Sequence, residues 1–159
     1  MLDQSLDPTH ALHLLAPETR DPRLRGFSVF DPSDPHETNC GPFYCRSDEQ
    51  GGLLFAFLAT AHQCNSRGQL HGGLLMTFAD LVIAGTAVHG FPEEAAVTVS
   101  LTSNFAAAGT IDRLITGRAD VTRRTGSMCF LTATIACEDQ TLLTCSAVMK
   151  RIARNRLTG

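Results

Sequence analysis

The longest apolar stretch of the chain, LHGGLLMTFADLVIAG at residues 70–85, has the length of a buried helix rather than of a strand. Gly90 and Pro92 follow it, where glycine favours the C-terminal cap of a helix and proline prevents its continuation. The polar residues of the predicted helix are Thr77, Asp80 and Thr86. We therefore expect the helix to be enclosed rather than to lie on the surface.

Shorter apolar runs on both sides of this helix predict strands. PFYCRSD and LLFAFLA precede the helix and are separated by a turn at Gly51-Gly52. Four further runs follow without another helix, at about 95–106, 111–123, 127–138 and 141–151. Two strands, one long helix and a run of antiparallel strands predict an α+β domain, in which a sheet of about five or six strands wraps a central helix.

The first strand after the helix has a regular alternation, which predicts one apolar and one polar face. The apolar set is Val97, Val99, Leu101 and Phe105, and the polar set is Thr98, Ser100, Thr102 and Asn104. On this pattern Thr98 and Phe105 point to opposite sides of the sheet.

Residues 1–40 contain most of the prolines and many charges, with little sustained periodicity. They predict an N-terminal arm that docks on the domain, with a short helix near residues 10–15. The domain itself is expected at 41–153, followed by a C-terminal tail at 154–159.

The composition limits the classes of function. A chain of 159 residues with 43% hydrophobic residues can bury one sizeable core. Its net charge of -3 and pI near 6.0 disfavour nucleic acid and anionic membranes as partners, which leaves a small molecule. An acidic, polar N-terminus without a long apolar run predicts neither a secretory signal nor a membrane span, and hence a cytoplasmic protein. Six cysteines without a repeated spacing suit reduced core thiols.

A zinc site is the alternative use of some of these cysteines. Cys40, Cys45, His62 and Cys64 have the side chains that zinc prefers. Because the paired Cys-x-x-Cys spacing of structural zinc sites is missing, the sequence predicts no metal.

Asp80 requires an explanation, because aspartate is rarely buried unless it is paired. No lysine or arginine lies three or four residues away on the same helix. Asp80 could accept hydrogen bonds from a loop or lie at a wet subunit contact. Otherwise it faces a cavity, as a catalytic group would.

Gly72 and Gly73 also disfavour the helix, by about 1 kcal/mol each relative to alanine. Close packing could require them. Alternatively, they expose the unpaired N–H groups and the partial positive charge of a helix N-terminus, which can bind an oxygen that gains negative charge. This makes the pair a candidate oxyanion site.

Helix geometry separates the two features. Gly72 and Asp80 are eight residues apart, or about 12 Å along a helix, and lie on different sides of it. Two copies with antiparallel helices about a two-fold axis would bring Asp80 of one chain to Gly72 of the other. The sequence therefore predicts a homo-oligomer with active sites at the dimer interface.

These residues carry a resemblance to a known family. The run CNSRGQLHGGLLMTFADLVIAGTA, with CGPFY before it and VTVSLTSNF after it, resembles the hotdog-fold acyl-CoA thioesterases of the phenylacetic-acid-degradation and thioesterase-superfamily-member type. The resemblance spans about residues 42–150. The family has an Asn before its HGG, an Asp within the helix and a Ser or Thr on the next strand, which fall on Asn65, His71, Gly72, Gly73, Asp80 and Thr98.

The resemblance implies a reaction and a role for each residue. An acyl-CoA thioester is hydrolysed to a carboxylic acid and coenzyme A by a homodimer or a dimer of dimers, without a cofactor. The Gly72 N–H polarises the carbonyl, and Asp80 of the partner chain acts as nucleophile or general base. Asn65 orients the thioester or the water, and Thr98 holds the carboxylate or the water. His71 and Gly73 line the substrate, with His71 better suited to capping the helix than to acting as a base.

Three other functions remain open. They are a hotdog enoyl-CoA hydratase or dehydratase, a non-catalytic acyl-CoA-binding protein and a structural oligomer. The sequence does not assign the phosphate contacts of coenzyme A, whose candidates are Arg67, Arg118, Arg123, Arg124, Lys150 and Arg151. The acyl pocket is expected to involve Leu74, Met76 and Phe78, although these are equally ordinary core positions.

Overall fold

Seven strands form one antiparallel sheet in the computed structural model, which describes residues 21–156. The strands are β1 (Ser28–Val29), β2 (Tyr44–Ser47), β3 (Leu53–Leu58), β4 (Glu94–Phe105), β5 (Leu114–Arg124), β6 (Met128–Cys137) and β7 (Gln140–Ala153). The two α-helices are α1 (Pro35–Cys40) and α2 (Gly72–Val88), and short 3-10 turns cover Pro22–Leu24, Ala61–Gln63 and Arg154–Arg156. The strand order is β1-β2-β3-β5-β6-β7-β4.

Helix α2 packs on the sheet and forms the core with it. Phe78 is fully buried, with its ring centroid 4.8 Å from that of Phe57 and 5.3 Å from that of Phe43. The sheet approaches the helix closely at Gly117, where a Cβ atom would lie 2.6 Å from a methyl carbon of Val82. Burial of large apolar side chains, each contributing about 1.5–3 kcal/mol, stabilises this contact.

The predicted end of the long helix is confirmed. Gly90 has a φ of +80°, which glycine adopts without the steric cost of a Cβ atom. Arg124 donates to the carbonyl oxygen of Ala87 at 2.6 Å and lies over the ring of Phe91. A cation therefore satisfies one of the carbonyl groups that the helix leaves unpaired at its end.

The prediction that α2 is enclosed holds for one side only. Five of its less buried residues recur every three or four positions as a stripe along the helix: Gly73, Thr77, Asp80, Ala84 and Val88. The others are Gly72, Met76 and Thr86. A single sheet covers one side of a helix, so this stripe faces away from β5, β6 and β7. Asp80 is therefore partly exposed in the protomer rather than locked in the core.

The predicted faces of β4 are correct from Ser100 onward and wrong before it, because the strand contains a β-bulge. The pairing of β4 with β7 shifts register between Thr98 and Ser100, so the side-chain alternation changes at that point. Thr98 lies opposite the buried Met149, and Phe105 lies opposite the buried Leu143. Thr98 and Phe105 thus share the face that covers α2, on opposite sides of the bulge.

Part of the predicted arm belongs to the sheet domain. β1 pairs with β2 and is the seventh strand of a sheet that was predicted to have five or six. It was not predicted, because it has only two residues. Leu24 and Phe27 are buried, and the ring of Phe30 packs edge-on against Phe55. The helix predicted near residues 10–15 lies outside the described residues, as do residues 157–159 of the predicted tail.

All six cysteines are free thiols. Within residues 21–156, none of the helices combines the length and the apolar character needed to cross a membrane.

Candidate active site

The N-terminus of α2 is capped by the side chain of His71. The ring Nδ1 of His71 accepts a hydrogen bond from the Gly73 N–H at 2.9 Å. The backbone N–H of His71 donates to the carbonyl oxygen of Gln63 at 3.0 Å. A Cβ atom on Gly73 would lie 3.0 Å from this Nδ1. The cap therefore explains why residue 73 is glycine. It also uses the lone pair of Nδ1, which a neutral histidine would need to act as a general base.

Gly72 has a different environment from Gly73. A Cβ atom there would meet only the ring of Phe105, at an ordinary contact distance of 3.4 Å. Within the described part of the chain, no group accepts a hydrogen bond from the Gly72 N–H. Packing within the protomer therefore does not demand glycine at this position. The residue leaves an unpaired N–H at the positive end of a 17-residue helix, where an anionic oxygen is stabilised.

Asp80 is held by the neighbouring strand. The hydroxyl of Thr98 donates to Oδ1 of Asp80 at 2.7 Å, which is a short, charge-assisted hydrogen bond. Across residues 21–156, neither a lysine nor an arginine forms an ion pair with this carboxylate. The second oxygen of Asp80, Oδ2, can therefore accept a hydrogen bond from a water molecule or attack a carbonyl carbon.

Asn65 organises the loop that enters α2. Its Oδ1 accepts hydrogen bonds from the backbone N–H groups of Arg67 at 2.9 Å and Gln69 at 3.3 Å. Its backbone N–H donates to the carbonyl oxygen of Gln69 at 2.7 Å. These bonds fold the loop in the manner of an Asx turn, and the side-chain NH2 group keeps no hydrogen-bond partner among residues 21–156.

Two residues that shape this site were not singled out from the sequence. Phe105 lies against Gly72 with 55% of its surface exposed, and the bulge hides this placement from a strict alternation. Gln63 is buried and bonds Thr60 N and Cys40 O through its side chain. Gln63 follows Thr60 at the capping-box spacing, which indicates a helical turn, but the sequence carries no signal for its bond to the distant Cys40.

The site residues form two groups within one protomer. Gly72 lies with His71, Gly73 and Phe105 at the start of α2, and Asp80 lies with Thr98 two turns later. Across residues 21–156, no hydrogen bond joins the two groups. One chain therefore presents an oxyanion donor and a carboxylate at separate places.

The structure reduces the candidates for phosphate contacts. Arg118 forms an ion pair with Asp48, Arg124 bonds the end of α2, and the nearly buried Arg151 bonds Glu94. Among the described residues, the candidates whose side chains form neither an ion pair nor a hydrogen bond are Arg67, Arg123 and Lys150. Of the predicted acyl-pocket residues, Leu74 and Phe78 are buried in the core and Met76 is half-buried.

The cysteine and histidine residues weighed for zinc do not converge in the described structure. Cys40 Sγ lies 3.7 Å from Nε2 of His36, whereas Cys64 Sγ contacts the carbonyl oxygen of Thr60. Cys45 is buried in β2, and burial raises the pKa of its thiol to about 11. Over residues 21–156, no group of three or more His, Cys, Asp and Glu side chains is arranged to hold a metal ion.

Part of the sequence is similar to known proteins. Residues 67–144 match the family model of the thioesterase superfamily. A putative esterase of Pseudomonas aeruginosa, PA0474, is 38% identical over 81 residues, which are 50% of this chain. The matched segment is 60% of that relative's length, so it spans less than two thirds of the relative.

Solved structures share the fold. The PaaI protein from the phenylacetic acid degradation operon of E. coli superposes with a TM-score of 0.68 at 22% identity, covering 76% of this chain and 86% of that protein. A hypothetical thioesterase of Streptococcus pneumoniae TIGR4, solved with coenzyme A, gives a TM-score of 0.63 at 16% identity, covering 80% of this chain and 96% of that protein.

One long helix against a seven-stranded antiparallel sheet, matched to these structures, is the hotdog fold. Residues 67–144 are similar to the thioesterase superfamily, and the fold is that of the PaaI protein and of the hypothetical thioesterase. The fold class predicted from the sequence is confirmed, and the match over residues 67–144 supports the predicted family.

Proposed function

We propose that this protein is an acyl-CoA thioesterase, which adds water to the thioester bond and releases a carboxylic acid and coenzyme A. The observation that carries the proposal is the hydrogen bond between Thr98 and Asp80, which fixes a carboxylate without a cationic partner on the open stripe of α2. The family match and the coenzyme A bound by the Streptococcus pneumoniae relative support this substrate class.

Asp80 is the nucleophile or the general base of the reaction. Either it attacks the thioester carbon, or it removes a proton from the attacking water. Thr98 donates to one carboxylate oxygen and so directs the other toward the substrate. No general acid is required, because coenzyme A leaves as a thiolate and is protonated by water.

The Gly72 N–H stabilises the negative charge that develops on the thioester oxygen. The unpaired N–H and the helix dipole support this role. Asn65 donates to the thioester or to the water through its side-chain NH2 group. His71 keeps the helix start in shape, and Gly73 makes room for the His71 ring.

A second copy of the chain completes each site. β4 is a twelve-residue edge strand that pairs only with β7 in the described chain, and Val97 and Val99 on it are exposed. A long apolar edge of this kind tends to pair with another strand. We propose that the β4 strands of two protomers pair about a two-fold axis.

The placement of Thr98 and Phe105 on β4 supports this arrangement. Within one chain, Thr98 forms a hydrogen bond with Asp80, and the ring of Phe105 lies against Gly72. Antiparallel self-pairing centred between these two strand residues would bring Thr98 of one chain opposite Phe105 of the other. Asp80 would then lie near the Gly72 N–H of the partner chain, as the helix geometry requires.

A substrate panel tests the activity. Aromatic, short-chain and long-chain acyl-CoAs are incubated with the full chain, and free thiol is detected as product. We expect thiol release from at least one class. Hydration of crotonyl-CoA without thiol release would support the hydratase instead, and saturable binding without any turnover would support a non-catalytic protein.

A single substitution on the edge strand tests the assembly. Val99→Lys places a charge on a side chain that is 57% exposed and should convert a dimer to monomers with little thiol release. Light scattering coupled to gel filtration measures the mass. Val121→Lys, at an exposed valine on β5, is the matched control and should leave the mass unchanged. A monomeric wild-type protein with full activity would contradict the shared site.

A further inference from the structure

Gln63 is one of two buried polar residues in the described part of the chain, the other being Ser28. Both polar atoms of its side chain are bonded. Oε1 accepts a hydrogen bond from the Thr60 N–H at 2.9 Å, and Nε2 donates to the carbonyl oxygen of Cys40 at 2.7 Å. These bonds fix the position of the side chain, because the loss of either one would leave a buried polar group unpaired.

The backbone of Gln63 holds the start of α2. Its carbonyl oxygen accepts the His71 N–H at 3.0 Å, and Nδ1 of His71 in turn accepts the Gly73 N–H at 2.9 Å. Gly72 lies between these two bonded N–H groups, and its own N–H has no partner in the described chain. Because Gly72 follows His71 directly, the position of the Gln63 carbonyl helps to set the direction of the Gly72 N–H.

The loop between Gln63 and His71 carries Asn65. A β-bridge between Cys64 and Leu70 closes this loop at its base, next to the bond from the His71 N–H to the Gln63 carbonyl. A displacement of Gln63 would therefore move Asn65 and the helix start together.

Helix α1 provides the anchor for Gln63. The side chain of Asp34 caps its first turn and accepts the Glu37 N–H at 2.8 Å. Nε2 of His36 lies 3.3 Å from the hydroxyl of Thr77, so α1 also contacts α2. The carbonyl group that Gln63 binds belongs to the last residue of α1. Gln63 thus joins the start of α2 to an element that itself packs against α2.

We propose that Gln63 is a positioning residue of the thioesterase site: it fastens the Asn65 loop and the start of α2 to the end of α1, and so aims both donors at the substrate. The inference rests on the proposed roles of Gly72 and Asn65. Gln63 acts without touching the thioester, because it is buried and its side-chain amide is already bonded. Both α1 and Gln63 precede residues 67–144, so the family match does not assign this role.

The kinetics of thioester hydrolysis test the role. Gln63→Met keeps the length of the side chain and removes both of its hydrogen bonds. Its kcat should fall by about tenfold with little change in KM, because alignment in the transition state is lost. Gln50→Met makes the same change at an exposed glutamine between β2 and β3 and should behave as the wild type. An unchanged kcat in folded Gln63→Met would overturn the proposal.

A milder variant serves if Gln63→Met does not fold. The amide of Gln63→Asn is one methylene shorter and cannot keep both the Thr60 and the Cys40 bond at full strength. Its kcat should fall by about threefold at unchanged KM. A wild-type kcat in this variant, or a rise in KM alone, would contradict the proposed role.

Double variants separate positioning from a general loss of order. In the Asn65→Ala background, Gln63→Met should lower kcat by about threefold rather than tenfold, because one of the groups that it positions is already missing. In the Thr98→Ala background, where the lost hydroxyl belongs to the Asp80 half of the site, the two losses should multiply. Losses that multiply equally in both backgrounds would show a purely structural effect and refute the proposal.

Amide hydrogen exchange separates this inference from the proposed function. In full-length Gln63→Met, the N–H groups of His71 and Gly73 should exchange at least about tenfold faster than in the wild type, whereas those of the central strand β6 should keep their rates. Equal acceleration in β6, or none at His71 and Gly73, would sink the positioning role whatever the activity. Local acceleration together with a wild type that hydrolyses no thioester would refute the proposed function instead.

Discussion

The start of α2 and the turn at Asp80 differ in what each offers a thioester. At the start, the Gly72 N–H has no hydrogen-bond partner among residues 21–156 and lies beside the ring of Phe105. At the turn, the Asp80 carboxylate accepts a hydrogen bond from Thr98, and no backbone N–H of the described chain donates to it. Under the proposed function, each region supplies half of the chemistry that hydrolysis needs, and the two halves of one site come from different chains. Substitutions in each region test this proposal.

Loss of the carboxylate should have the largest effect. Asp80→Asn keeps the size and the hydrogen bond from Thr98 but removes the nucleophile or base, so kcat should fall by at least about 10²-fold. Steady-state kinetics with the best acyl-CoA measures it, and light scattering checks that the assembly is intact. Asp120→Asn, at an exposed site on β5, should behave as wild type. Normal turnover by folded Asp80→Asn would refute the mechanism.

Mixed dimers test whether the halves belong to different chains. Gly72→Val crowds the donor and Asp80→Asn removes the carboxylate, so each variant alone should be inactive. After the two are unfolded, mixed and refolded, half of the dimers are mixed, and each mixed dimer has one intact site. Activity should recover to about a quarter of the wild type. If well-folded mixed dimers show no recovery, both groups act within one chain.

The groups that orient rather than react should have intermediate effects. Thr98→Ala and Asn65→Ala should each lower kcat by about tenfold, because they loosen the alignment without removing the reacting carboxylate. Thr98→Ser keeps the hydroxyl and should recover most of the rate. Kinetics on the three variants measures this ranking, and complete inactivity of folded Thr98→Ala would assign the hydroxyl a more direct role.

The two adjacent glycines should differ in stability. Gly72→Ala has room for its Cβ atom and should gain up to about 1 kcal/mol from helix propensity. Gly73→Ala should gain the same helix propensity but displace the His71 cap, which costs about 1 kcal/mol. Its free energy of unfolding should therefore stay close to that of the wild type. Urea denaturation should therefore find Gly72→Ala the more stable variant. The reverse order would show that Gly72, not Gly73, is required by packing.

The smallest effect concerns pH and the carboxyl of Glu37. Its pKa is raised from 4.5 to about 7 in the folded protein, so between these values the folded state binds more protons than the unfolded chain. The free energy of unfolding therefore falls as pH rises from about 4.5 to 7. Urea denaturation at pH 5 and pH 8 should show this fall in wild type and Glu49→Gln and a smaller fall in Glu37→Gln. Equal falls in all three would place the carboxyl in water.

Long elements were predictable because their patterns are local. The length of the apolar run 70–85, with Gly90 and Pro92 after it, predicted a helix, and the structure contains α2 (Gly72–Val88) there. Each of the six longer strands lies within a few residues of its predicted range. The two residues of β1 were not predictable, because a strand that short exists only through its pairing with β2.

The site was partly readable for the same reason. Gly72, His71 and Asp80 stand out within one element, where an unusual residue contrasts with its neighbours. Phe105 does not stand out, because its significance depends on its contact with the distant Gly72. Asp34 followed by Pro35 is a helix-start signal, and it could have located α1, although not its neighbour on α2.

The sequence by itself determined the elements, the fold class and the residue types of the site, since propensity, periodicity and a spaced motif act along the chain. Tertiary structure decided which face of β4 meets the helix, because the bulge between Thr98 and Ser100 reverses the alternation and has no local signature. It also decided that Asp80 is partly exposed rather than enclosed in the core, since one sheet covers only one side of α2. Contacts between distant segments place Phe105 beside Gly72 and Thr98 beside Asp80, which no local pattern predicts.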